Sequence, residues 1–284
     1  MKRNTSSATD FSTFNLAHNR KQVFFQSYKL RFGLIMLTTV ITFLFFLPLF
    51  FWNTYARLGV RYIALDLETA EDQLAVYSKM LQLINFKNLI NLPLFAIAGI
   101  GIGGSIHIFQ KIIWSDIVFI SDYFENFKKN VIKYLIFGLI LGIGYLIYQS
   151  MFYMAYYFPS DAIRNIGLYA LSILIFAFIA VFDCFLFMQN EVYNVKFFNL
   201  IGNAIKFTFN SFIPILGFGA IAFLPYILVY FENLTLDGVS VMLFILFYSP
   251  SQLCLILFSN HQFDKYINKN NFPDIVDKGI YRNY

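Results

Sequence analysis

Charge is what this sequence has little of. Asp, Glu, Lys and Arg make up 13% of its 284 residues, about half of the ~25% usual in soluble domains, while 58% are hydrophobic. A chain so poor in charge cannot build an ordinary water-facing surface, so lipid is the expected solvent. Cysteine is almost missing. Cys184 and Cys254 both fall in apolar segments, which excludes a disulfide scaffold and points to buried free thiols. The three histidines are scattered, and the apolar segments carry no Glu-Glu pair, no His-x-x-x-His, no His-Glu-x-x-His and no Gly-x-Ser-x-Gly. Catalysis and metal binding need convergent polar groups, so the chain reads as non-enzymatic, with no cofactor and no metal. A net charge of +5 is too modest and too spread to make a nucleic-acid surface. It is better read by position.

What is present is apolar length. Six segments are long enough to cross a hydrocarbon core of roughly 30 Å: about 32–52, 89–109, 132–155, 166–188, 208–231 and 239–258. The expected fold is all-α, a polytopic transmembrane helical bundle of about six spans within residues 32–258. Residues 1–31 carry six basic side chains against Asp10 and form a tail, turning helical near Gln22 to Leu30. This stretch does not read as a cleavable signal, because roughly thirty polar residues precede the first apolar run. Residues 259–284 form a second polar tail, too short for a domain. In this topology 16 of the 21 basic residues fall on the side of the two tails and 5 on the other, which places both termini in the cytoplasm. The connection 53–87 is the one sizeable outer loop. Its apolar residues recur at helical spacing among Asp66, Glu68, Glu71 and Asp72, which predicts one or two amphipathic helices on the outer face.

Two spans carry breaks in the apolar pattern. The second holds Gly99, Gly101, Gly103 and Gly104; the Gly99–Gly103 spacing lets a neighbouring helix approach closely, and a broken helix lining a cavity is the alternative. Gly138 and Gly142 repeat the small-residue spacing in the third span, and Pro214 interrupts the fifth. Asp183 is the one acid well within an apolar run. An acid in that setting is a candidate proton or cation site, although Gln189, Asn190 and Glu191 lie near enough for it to snorkel towards the surface or pair with a lysine there. His107 reads as a satisfied or interfacial imidazole.

The densest polar patch between spans runs from Val118 to Lys133. Asp122 and Glu125 mark a helix start. Tyr123, Phe124, Phe127 and Val131 share a face, and Lys128, Lys129 and Lys133 gather beside them, a pattern expected of an interfacial helix feeding the third span. A shorter echo, Asn203-Ala-Ile-Lys206-Phe207, matches Asn130-Val-Ile-Lys133-Tyr134.

A glycine- and alanine-rich span followed by Phe-Ile-Ser121-Asp122-Tyr123-Phe124 and Asn-Phe127-Lys128-Lys129-Asn130 resembles the YesL-like family of bacterial integral membrane proteins. The resemblance covers roughly residues 32–220, with Ile120 where that family commonly has tryptophan and Val131 after the Lys-Asn pair. It implies a bacterial cell membrane location and an association with carbohydrate uptake. The expected function is therefore a non-enzymatic accessory or assembly factor whose partners are the lipid bilayer and a transporter subunit or a second copy. Its candidate interaction residues are Ser121, Asp122, Tyr123, Phe124, Phe127, Lys128, Lys129, Asn130, Lys133, Asn203 and Lys206. The alternative is a small secondary carrier or channel using the glycine-rich second span and Asp183.

Overall fold

In the computed structural model the described residues are 17–65, 73–157, 162–224 and 234–281. Among them there is no strand, and six helices are each long and apolar enough to cross a membrane. These are α1 (Arg20–Leu65), α2 (Gln73–Ile113), α3 (Ser121–Tyr157), α4 (Ala162–Val192), α5 (Phe197–Phe223) and α6 (Leu234–Phe263). Helices are the natural outcome of such a sequence, because lipid offers no partner for a free N–H or C=O. Buried hydroxyls obey the same rule: Thr38, Thr39 and Thr42 each donate to a carbonyl four residues earlier in α1.

Helices α1, α2, α3 and α4 pack in chain order, α5 packs on α4 and α6, and α6 closes back onto α1 and α2. Both described ends of the chain therefore lie at one end of the bundle, called here the terminal face. The opposite end is the far face.

The connection expected over 53–87 is organised differently. No separate interfacial helix is seen among its described residues, because α1 runs on to Leu65 and α2 begins at Gln73. The 34 residues from Phe32 to Leu65 measure about 50 Å at 1.5 Å per residue, some 20 Å more than a bilayer core. The amphipathic spacing read there belongs to the far ends of two packed helices, which meet at Gly59 and Leu83 and at Trp52 and Phe86. The acids Asp66, Glu68, Glu71 and Asp72, together with Pro159, Asp161 and Pro225, lie outside the described residues.

Two helices bend. Arg31 has φ −121° and ψ 20°, so α1 kinks where the basic tail meets the first apolar run. Ser211 in α5 has φ −133° and ψ 22°. Pro214, three residues on, lacks an N–H and crowds the carbonyl of Asn210, which accounts for the bend. Helix α2 shows no such break through its glycines.

The C-terminal tail folds back. A π-turn (Asp264–Asn268) ends α6, and a 3-10 turn (Pro273–Ile275) leads into a strap across the terminal face. Arg20 binds Asp264 at 2.5 Å and Asp277 at 3.1 Å. Lys278 stands 4.2 Å over the Trp114 ring and 3.4 Å from Asp116, and the Tyr281 N–H donates to Ala17 O at 2.7 Å. Tyr193 closes the inner side by donating to Asn268 Oδ1; burial, with Asp264 nearby, pushes its phenol well above the usual range.

Gly279 makes the strap possible. Its φ is +88°, and a Cβ there would land on the Ile113 carbonyl oxygen. Left-handed backbone costs a residue with a Cβ about 1–2 kcal/mol before any clash. Gly279→Ala is therefore expected to raise amide hydrogen exchange at Tyr281 by at least about tenfold. Unchanged exchange would mean the strap does not depend on this turn.

Candidate functional site

Helix α3 splits the Val118–Lys133 stretch into an inward and an outward half. Tyr123 is fully buried; its hydroxyl donates to Gly101 O at 2.9 Å and lies 3.1 Å from Thr42 Oγ1. Phe127 meets Tyr123 and Phe45 edge to face. Asp122 accepts from Lys111 at 2.6 Å and from the Phe119 N–H at 3.1 Å, tying the α2–α3 turn to the first turn of α3. Ser121, Lys128 and Lys129 face outward, with Lys133 half-buried. Phe124 remains 49% exposed, beside Phe119 at 64% and Ile117 at 76%. The outward half is thus an apolar corner flanked by lysines.

The glycines of α2 face two neighbouring helices, α1 and α3. A Cβ on Gly99 would lie 2.8 Å from Gly138 Cα, so here two backbones touch. On Gly101 it would meet Phe45, on Gly103 the Tyr134 ring, and on Gly104 the rings of Tyr123 and Phe127. Gly142 abuts Phe95 in the same seam. Each small residue receives a backbone or an aromatic ring, so these positions serve close packing.

The inward half of α3 also builds a polar hub that the sequence does not announce. Glu191, in the last turn of α4, has a side chain only 3% exposed. One of its oxygens sits 2.8 Å from His107 Nδ1, Asn126 Nδ2 donates to both oxygens, and Tyr134 donates its hydroxyl to Oε1. Asn130 then donates to Asn126 at 2.8 Å. Three helices converge on this one carboxylate. In sequence Glu191 is one of three polar residues closing an apolar span; Tyr134 facing Gly103 was the available signal, because a glycine opposite a tyrosine marks where a ring is let in.

Asp183 is not drawn to the surface and no described lysine pairs with it. It is 2% exposed, and its Oδ1 has no hydrogen-bond partner among the described residues. Its place on α4 explains this: Asp183 shares a stripe with Ile179 and Phe187, one turn either side, which pack on Gly144 and on Phe137 and Tyr134 of α3. Snorkelling along α4 would require the carboxylate to pass the Phe187 ring.

Asn203 and Lys206 belong to α5, which packs chiefly on α4 and α6, so they do not join the stretch. The echo nevertheless holds in burial: Tyr134 and Phe207 are both buried. Pro214 is exposed at the α5 bend. At the far face Lys87 is buried; its Nζ donates to Gln149 at 3.3 Å and stands 5.3 Å from the Tyr153 ring centre, while Asn53 and Asn91 exchange amide bonds nearby. Among the described residues no group of three or more His, Cys, Asp or Glu side chains is placed to hold a metal ion.

These features define an all-helical multi-pass membrane bundle with a clasped terminal face. Compared with known proteins, the chain matches no family model, no curated protein and no solved structure.

Proposed function

We propose that this chain is a non-enzymatic membrane accessory or assembly factor of the YesL-like kind, resident in a bacterial cell membrane with both termini cytoplasmic and associated with a carbohydrate uptake system. The observation that carries the proposal is the α2–α3 corner: Ile117, Phe119 and Phe124 stand exposed beside Tyr123 and Asp122, which are tied into the bundle, and are flanked by Lys128 and Lys129. Exposed apolar residues rimmed by charge are the usual form of a docking surface.

The test is affinity purification from gently solubilised native membranes, comparing the wild type with Phe119→Ala plus Phe124→Ala. Phe127 is left intact because it packs against Tyr123. A sugar-transporter subunit recovered at near-equal amounts with the wild type and lost with the double variant is the expected result. Equal recovery with both would remove the corner from the interface, and recovery of the chain alone would remove the accessory role.

The buried, unpartnered carboxylate of Asp183 favours a second reading, a small secondary carrier. On that reading Asp183→Asn abolishes substrate flux in liposomes.

A further inference from the structure

We propose that Lys87 and Asn88 form a phosphate-binding site near the far face, set at the depth of the lipid headgroups. The inference is independent of the accessory reading.

Lys87 is a buried cation without a buried anion. It is only 6% exposed, yet no described carboxylate forms an ion pair with it. Its ammonium has three N–H groups. One reaches Gln149 Oε1 at a long 3.3 Å, and the centre of the Tyr153 ring lies 5.3 Å away. A neutral amide oxygen and a ring face replace only part of the hydration that an ammonium gives up, so the arrangement asks for a negative charge. Asn88 supplies the second observation. It is 1% exposed, and neither its Nδ2 nor its Oδ1 has a hydrogen-bond partner among the described residues. Buried amides are normally satisfied, so two open positions on one side chain point to a ligand.

The helix register brings the two side chains to one place. Asn88, Phe95 and Gly99 fall at helical spacing and share the face of α2 that packs on α3. The antiparallel register that sets Phe95 on Gly142 and Gly99 on Gly138 sets Asn88 opposite Gln149, the partner of Lys87. On the α1 side Trp52 donates its indole N–H to Lys87 O at 3.1 Å. One turn deeper along α2, Asn53 and Asn91 bond to each other and close the site towards the membrane core. Tyr153, one turn beyond Gln149 on α3, is only half-buried, so its ring is the wall that can swing aside.

Depth and donor chemistry select the ligand. Lys87 stands just before the apolar run that begins at Leu89, and Trp52 closes the apolar run of α1. A bilayer places its phosphates just outside such limits. The remaining ammonium N–H groups and the Asn88 amide N–H groups are donors for phosphate oxygens. Asn88 Oδ1 takes a hydroxyl carried beside them: the headgroup hydroxyl of phosphatidylglycerol, or the P–OH of hydrogen phosphate. A choline headgroup has no such donor.

Thermal unfolding of the purified full chain in neutral detergent tests the site, because a ligand held only by the folded state raises its melting temperature. Phosphatidylglycerol, phosphatidylcholine and inorganic phosphate are titrated separately. Saturable stabilisation by phosphatidylglycerol or by inorganic phosphate is expected, with phosphatidylcholine weaker. Lys87→Met should weaken the apparent affinity by about ten- to a hundredfold, as loss of a charged hydrogen bond does. It replaces an unpaired buried charge with an apolar chain of similar length, so folding is retained. Asn88→Leu should weaken binding in the same direction, whereas Lys128→Met, at the terminal face, should leave it unchanged. Phosphatidylglycerol acting alone supports a lipid headgroup as the source, and inorganic phosphate acting supports a soluble ion. No stabilisation by either, equal affinity in wild type and Lys87→Met, or an equal loss in Lys128→Met overturns the proposal.

Discussion

Gly138→Ala is expected to destabilise the bundle strongly by prising α2 from α3. At Gly138 the new Cβ would fall on the Phe95 carbonyl oxygen and 2.8 Å from Ala96 Cα. These are backbone atoms, and no side-chain rotation can relieve the clash. Helices α2 and α3 would have to part, loosening the most extensive helix pair among the described residues. Overpacking typically costs about 1–3 kcal/mol, and a backbone contact belongs at or above the top of that range. Gly99→Ala, 2.9 Å from Gly138 N, should behave alike. Gly217 provides the control, since nothing lies within 4 Å of its Cβ position. There the same substitution recovers up to about 1 kcal/mol of helix propensity, or leaves stability unchanged. Thermal unfolding in detergent checks the pair: equal melting temperatures for Gly138→Ala and Gly217→Ala would show that the seam is not the tight contact described.

Glu191→Ala has the second large effect. Its removal strands one Asn126 donor and the Tyr134 hydroxyl in the interior and takes the partner from the His107 imidazole, itself 28% exposed. Removing one partner of a buried charged network costs about 3–5 kcal/mol. Glu191→Gln should recover part of this, because its amide oxygen still accepts from Tyr134 or Asn126. Denaturant titration should therefore rank wild type above Gln and Gln above Ala. A Gln variant no better than Ala would show that the negative charge, rather than the hydrogen bonds, holds the hub.

The spans were legible because hydropathy is a one-dimensional property: twenty apolar residues are visible wherever they fall. The boundary between tail and first span at Arg31 was legible for the same reason, since charge gives way to hydrocarbon there, but the kink at that residue was not. The glycine seam could be read as a tendency, because Gly99–Gly103 spacing permits approach without naming the partner. The inward faces were not legible. In a membrane helix both lipid-facing and core-facing sides are apolar, so Phe124 and Phe127, three residues apart, carry the same hydropathy although one is exposed and the other packed on Phe45. Nor could composition reveal the hub, because Glu191 lies where a surface acid is equally at home. The far reach of α1 and α2 was hidden in a similar way: an amphipathic pattern is shared by a helix lying on a membrane and by two helices packed together beyond it.

The clasp at the terminal face has a consequence for synthesis. Arg20 opens α1, and its partner Asp264 follows 244 residues later. The clasp can close only once both Asp264 and Asp277 have been made, long after α1 itself. A chain broken off before residue 264 would insert its earlier spans and still leave Arg20 without Asp264 or Asp277. In such a chain α1 would be held at the terminal face without its ion pairs, so the clasp reports that α6 and the strap have reached their places.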